Sequence, residues 1–123
     1  MDTKLYRFVC RNIGVYEAVD KYCPRDDERR RNKPDGSWLP KVGTKYPGAI
    51  SYWTERGLKK YIESGLYAWH TSVIPDKVEV YVSEPIENPL YNDELQVIDH
   101  LEKFTITRTE SVTGIIDVTK RLS

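Results

Sequence analysis

Arginines and their neighbours are the chemistry-bearing feature of this chain. The stretch PRDDERRRNKPDG, Pro24 to Gly36, places three acids directly before three arginines and then runs into a turn. Planar guanidinium forks of this kind take phosphate oxygens in pairs. The competing reading is a self-neutralising helix end, in which Asp26–Arg30 and Asp27–Arg31 pair four residues apart, acid first. Arg25 and Arg29 lack such a partner. Arg56 stands near the start of a predicted helix, where a cation opposes the helix dipole, and the residue four positions on is Lys60. Arg108 shares a predicted strand face with Phe104 and Ile106, and Arg7 sits inside an apolar first strand. A guanidinium buried in either place needs an anion, supplied by a ligand or by an internal carboxylate. Tyr81 points away from the valine face of its strand, free either to stack on a nucleobase or to pack beneath a second layer. Asn92 offers a donor and an acceptor together, which suits a base edge, a ribose or a turn.

Other chemistries find little support. His70 and His100 have no His or Cys at metal-ligand spacing, so neither a metal nor a cofactor is expected. No nucleophile elbow, phosphate-binding loop or dinucleotide fingerprint occurs. Lys and Arg total 19 and so do Asp and Glu, so the net charge is zero, which argues against a DNA or RNA binder. A small phosphorylated ligand stays open, because local asymmetry is enough for it. Between Lys21 and Lys33 there are six basic residues against three acidic ones. Cys10 and Cys23 read as reduced thiols, and no apolar run approaches a membrane span, so a cytosolic protein without a membrane partner is expected.

The elements that must hold these residues follow from periodicity. At 123 residues the chain suits one domain, 1–123. Lys4–Arg11 reads as a central strand. Val15, Ala18, Val19 and Tyr22 are spaced for a short helix, which Pro24 limits. The segment 23–48 carries four of seven prolines and three of seven glycines and reads as a long loop, ordered by Trp38 and Tyr46. Ala49–Trp53 predicts a strand, and Thr54 caps a helix that Gly65 ends, with Gly57 in its first turn a weakness. The run DKVEVYVSE, Asp76 to Glu84, alternates cleanly, with Val78, Val80 and Val82 on one face. LYNDELQVIDHL is ambiguous between helix and strand, EKFTITRTE is strand-like, and GIIDV predicts a last strand. The expected fold class is α+β, a mostly antiparallel sheet with two or three helices.

Two resemblances sharpen the functional expectation. The short strand–helix start, the arginine-bearing loop, SYWTERGLKKY, VEVYVSE, the YND turn and the late-strand arginine together resemble phage Thoeris anti-defence proteins of the first type. These bind a cyclic ADP-ribose signal without cleaving it. The resemblance implies sequestration of such a nucleotide in the cytoplasm of an infected bacterium, by a homodimer or larger homo-oligomer. Its ligand contacts would be Arg25, Arg29, Arg56, Tyr81, Asn92 and Arg108. Separately, Arg7 in LYRF and the strand ISYWT running into a helix resemble ADP-ribosyltransferases, which grip NAD in a split antiparallel sheet. That resemblance implies a late-strand catalytic glutamate, for which Glu110 is the candidate. The residue two before it is Arg108, where that family carries Gln or Glu. Capture without catalysis is therefore the expected function, with an NAD-using transferase the alternative.

Overall fold

Alternation in VEVYVS can be satisfied only where one face of a strand is sealed, and the fold provides that seal with helices packed on one side of the sheet. The structure, a computed structural model, describes residues 4–110 and 115. Strand β1 (Leu5–Cys10) turns through Arg11 and Asn12, both at positive φ (48° and 69°), into the two-residue β2 (Ile13–Gly14). Positive φ at both central positions matches the right-handed twist of a hairpin, and Asn is among the residues that tolerate it best. Helix α1 (Val15–Tyr22) follows and buries Val15, Ala18 and Val19, as its spacing requires. After the long loop come β3 (Ile50–Trp53), α2 (Glu55–Glu63), α3 (Leu66–Val73), β4 (Glu79–Ser83), β5 (Tyr91–Asn92), β6 (Gln96–Asp99) and β7 (Ile106–Glu110).

The fold is α+β. Among the described residues seven strands form one antiparallel sheet in the order β5-β6-β3-β1-β4-β7, with β2 beside β1. One face carries Tyr6, Phe8, Val80 and Val82 against the helices, joined by Leu58 and Tyr61 of α2 and Leu66 of α3. Burying each such side chain contributes about 1.5–3 kcal/mol. The other face holds a smaller cluster of Leu5, Tyr52, Val97 and Phe104, in which the rings of Tyr52 and Phe104 stack at 4.0 Å. No helix among the described residues is long and apolar enough to cross a membrane.

Helix α2 shows why its local sequence is as it is. The Thr54 side chain accepts a hydrogen bond from Gly57 N, satisfying one orphan donor of the first turn. Gly57 is a requirement rather than a weakness. A Cβ there would lie 1.9 Å from the carbonyl oxygen of Leu95, so only glycine lets the helix lie against the chain entering β6. Gly65, at φ 88°, ends α2 in the left-handed conformation and also starts α3.

Several expectations need correction. Helix α3 is not legible in the sequence while His70 reads as polar; counted as buried, it completes Leu66, Trp69, His70 and Val73 at helical spacing. LYNDELQVIDHL resolves into β5, β6 and the start of a 3-10 turn (Leu101–Lys103). The arginine-rich stretch forms a 3-10 turn (Glu28–Asn32), whose three-residue repeat does not bring positions four apart together. The pairs Asp26–Arg30 and Asp27–Arg31 accordingly do not form; Asp27 holds Arg29, and Arg30 holds Asp20. Phe104 is buried before β7 begins, while Ile106 and Arg108 are exposed. The strand expected over 114–118 lies outside the described residues, apart from Ile115, which is helical rather than extended and is buried in the core.

Candidate functional site: a cleft where the sheet splits

Strands β1 and β3 are neighbours in the sheet yet pair only at Tyr6 and Trp53. By contrast β1 and β4 share five register pairs, and β3 and β6 share four. Beyond Tyr6 and Trp53 the two strands part, and a cavity of about 720 Å³ occupies the opening. That volume is in the range of small-molecule sites. Arg7 and Phe8 line it from β1, Ser51 and Tyr52 from β3, Gln96 from β6, and Tyr16 from α1. The loop segment 33–44 closes one side, with Lys33 and Lys41 on the wall.

The electrostatics favour an anion. Five cationic residues line the cavity (Arg7, Arg25, Arg30, Lys33, Lys41) against three acidic ones (Glu17, Asp20, Asp35). Asp20 is engaged by Arg30, and Asp35 accepts from the backbone and hydroxyl of Ser37, which hold its carboxyl below the usual range. Arg7 is half-buried and forms no ion pair among the described residues. Gly14 leaves room for it: a Cβ on Gly14 would lie 3.4 Å from the Arg7 guanidinium. Beside it, the buried hydroxyl of Tyr52 has no well-formed hydrogen bond. Burial pushes that hydroxyl up, while the positive charge of Arg7 and a weak hydrogen bond from its guanidinium oppose the shift. A ligand oxygen beside this pair would complete hydrogen bonding that the chain supplies only poorly.

Aromatic rings supply the rest of the wall. Tyr16 is 41% exposed, yet it sits in a concavity among Trp53 (6.3 Å), Tyr61 (6.2 Å) and His70 (4.8 Å, edge-on). Crowding by protein atoms pushes its hydroxyl well above the ordinary range despite that exposure. The loop is tied down by contacts the sequence did not reveal. Arg30 reaches the carbonyls of Cys23 and Pro24 and lies over the Trp69 ring, Trp69 Nε1 donates to Arg29 O, and Trp38 packs on Trp53 at 6.0 Å. Gln96 donates from Nε2 to Pro40 O at 3.0 Å and also reaches Asp93. Burial raises the Asp93 carboxyl, but hydrogen bonds from Tyr91, Leu95 N and Gln96 outweigh it and hold it low.

The six residues expected at the ligand do not converge within the chain. Arg25 is exposed, lines the cavity and forms no ion pair among the described residues. Arg29 is clamped by Asp27 at 2.9 and 3.1 Å and by Tyr22 O, and the Asp27 carboxyl is lowered to about 2 by those Arg29 hydrogen bonds. Arg56 meets Glu94 at 2.8 Å on the surface. Arg108 meets Glu110 at 3.0 Å on β7, one edge of the sheet, while Asn92 is exposed on β5, the opposite edge. Tyr81 is half-buried, packs on the small cluster and lies across from Arg7 in register. Glu110 does not line the cavity and takes Arg108. The residues of ISYWT fare differently, because Ser51 and Tyr52 line the same cavity as Arg7 and Tyr52 lies beside it. Gln96, His70 and Tyr16 escape a reading of the sequence. Only Tyr16 leaves a trace there, as a large ring beside the apolar stripe of α1.

No family model matches the chain, and no curated protein or solved structure matches it. Among the described residues no group of three or more His, Cys, Asp or Glu could hold a metal ion.

Proposed function

We propose that the protein binds a cyclic ADP-ribose-type nucleotide in the split between β1 and β3 and holds it without breaking the glycosidic bond. The observation that carries this reading is Arg7, a half-buried guanidinium on the cavity wall with no carboxylate partner among the described residues. A diphosphate supplies the missing anion, Arg25 and Lys33 stand at the rim for its second phosphate, and Tyr16 offers a face to a base. Each charge-assisted hydrogen bond is worth about 1.5–3 kcal/mol. Two or three of them with one stacked ring sum to about 4–12 kcal/mol before the cost of association. The sub-micromolar binding that capture needs, about −8 kcal/mol, therefore draws on the upper end of that range and on further contacts.

Capture rather than cleavage is supported by the group on β6. An amide at Gln96 is neutral and cannot stabilise the positive charge that develops at a ribosyl carbon. Its donor is also committed to Pro40 O, where a carboxylate would be repelled. Removal of a cyclic ADP-ribose signal from an infected bacterium is the biological role this proposal fits, and a homodimer would add a second cationic rim.

A transferase is the second reading, favoured by Arg7 and Ser51 standing at the two lips of the split. Titration with NAD and with cyclic ADP-ribose, followed by chromatography of the recovered ligand, separates the two. The capture reading expects tight binding and chemically intact ligand. Free nicotinamide would establish the transferase reading instead, and no binding of either nucleotide would remove both.

A further inference from the structure

His70 is 1% exposed, lines the cavity and lies on α3, far in sequence from the strands that form the split. Its Nδ1 lies 2.6 Å from the hydroxyl of Tyr61, itself fully buried on α2. Which atom carries the proton can be worked out. Burial holds the imidazole down to about 4, reinforced by nearby Lys33 and Arg30 against a weaker opposing pull from Asp20, so it is neutral at physiological pH. Burial holds the Tyr61 hydroxyl far above its ordinary range, so it keeps its proton. Among the described residues that hydroxyl has no acceptor other than Nδ1. If Nδ1 carried the imidazole proton, the buried tyrosine hydrogen would be stranded at a cost of one unmade hydrogen bond. Tyr61 therefore donates, Nδ1 accepts, and the proton of the neutral ring resides on Nε2. That N–H has no protein acceptor among the described residues.

The ring that carries this neutral, orientation-locked donor lines a cationic cavity, and such a donor is suited to reading a base rather than a phosphate. The Tyr16 and His70 rings make a T-shaped contact at 4.8 Å, and Trp53 lies near Tyr16 and also lines the cavity, so aromatic rings adjoin the same space. We propose that His70 is a specificity-determining residue whose Nε2–H donates to an acceptor atom on the ligand's aromatic base, with Tyr61 the positioning residue that fixes the tautomer. This rests on the nucleotide reading of the cavity.

The test titrates ADP-ribose, NAD and cyclic ADP-ribose against the full chain and against His70→Phe and His70→Gln. His70→Phe keeps a flat ring and removes the donor, so affinity should fall at least tenfold. His70→Gln restores an N–H near the position of Nε2 and should recover to within threefold of the parent. A folded His70→Phe that binds these nucleotides within twofold of the parent overturns the proposal and leaves the nucleotide reading standing. If the parent binds none of ADP-ribose, NAD and cyclic ADP-ribose, the nucleotide reading falls and this proposal falls with it. Nitrogen-15 NMR of the parent covers the case in which a variant fails to fold. It should show a protonated Nε2 and a bare Nδ1, with the Nε2 proton moving when ADP-ribose is added. A protonated Nδ1, or an Nε2 signal indifferent to the nucleotide, overturns the proposal.

Discussion

Two arginines on this sheet meet opposite fates. Arg7, in the central strand β1, sits where two strands part and has no carboxylate to neutralise it among the described residues. Arg108, on the edge strand β7, is exposed and paired with Glu110 at 3.0 Å, two residues along its own strand. Both look alike in sequence, as lone cations on apolar strands. The difference lies in geometry that no single strand specifies. An exposed ion pair is nearly neutral in stability, whereas a half-buried cation left unpaired is tolerated where something else uses it.

Variants and conditions sharpen this contrast, and the largest effect is expected on the cavity side. His70 is held neutral at about 4 in the fold and titrates near 6.5 when unfolded. The unfolded chain therefore takes up a proton that the folded chain refuses. Stability should be full above pH 6.5 and fall as pH drops towards 4, by on the order of 2–3 kcal/mol. Chemical denaturation at pH 7 and pH 4.5 measures this, and His70→Phe should flatten that part of the profile. Gly57→Ala should cost about 2 kcal/mol, because the added methyl meets the backbone of Leu95 rather than a yielding side chain. A raised melting temperature would contradict that close approach. Gln96→Leu cuts the bond to Pro40 O and should cost about 1 kcal/mol, with faster amide exchange confined to the loop around Pro40. At the far edge, Arg108→Ala should move stability by less than about 0.5 kcal/mol and leave nucleotide affinity within twofold.

The elements governed by local rules were legible in the sequence. The spacing of Val15, Ala18 and Val19, the Thr54 cap and the alternation from Val78 to Val82 all return as read. Features set by contacts between distant segments were not. Gly57 looks like a flaw until Leu95 lies against it, and α3 stays hidden while His70 is counted as polar. For the site, Arg7 and ISYWT came together only through the resemblance to ADP-ribosyltransferases, since no periodicity or spacing within either strand places them side by side. The other arginines carried no comparable signal. A guanidinium two residues from an acid, as in Arg29 with Asp27 or Arg108 with Glu110, satisfies itself locally, and charge composition cannot separate that from a ligand contact.

Calorimetric titration of ADP-ribose into the parent protein and Arg7→Ala, side by side, probes the cleft most directly. The parent should bind below micromolar, and Arg7→Ala should bind about a hundredfold more weakly while keeping its fold, the loss of a charge-assisted contact worth about 2.7 kcal/mol. Equal affinity in the two proteins would show that the split between β1 and β3 is not where the nucleotide is held.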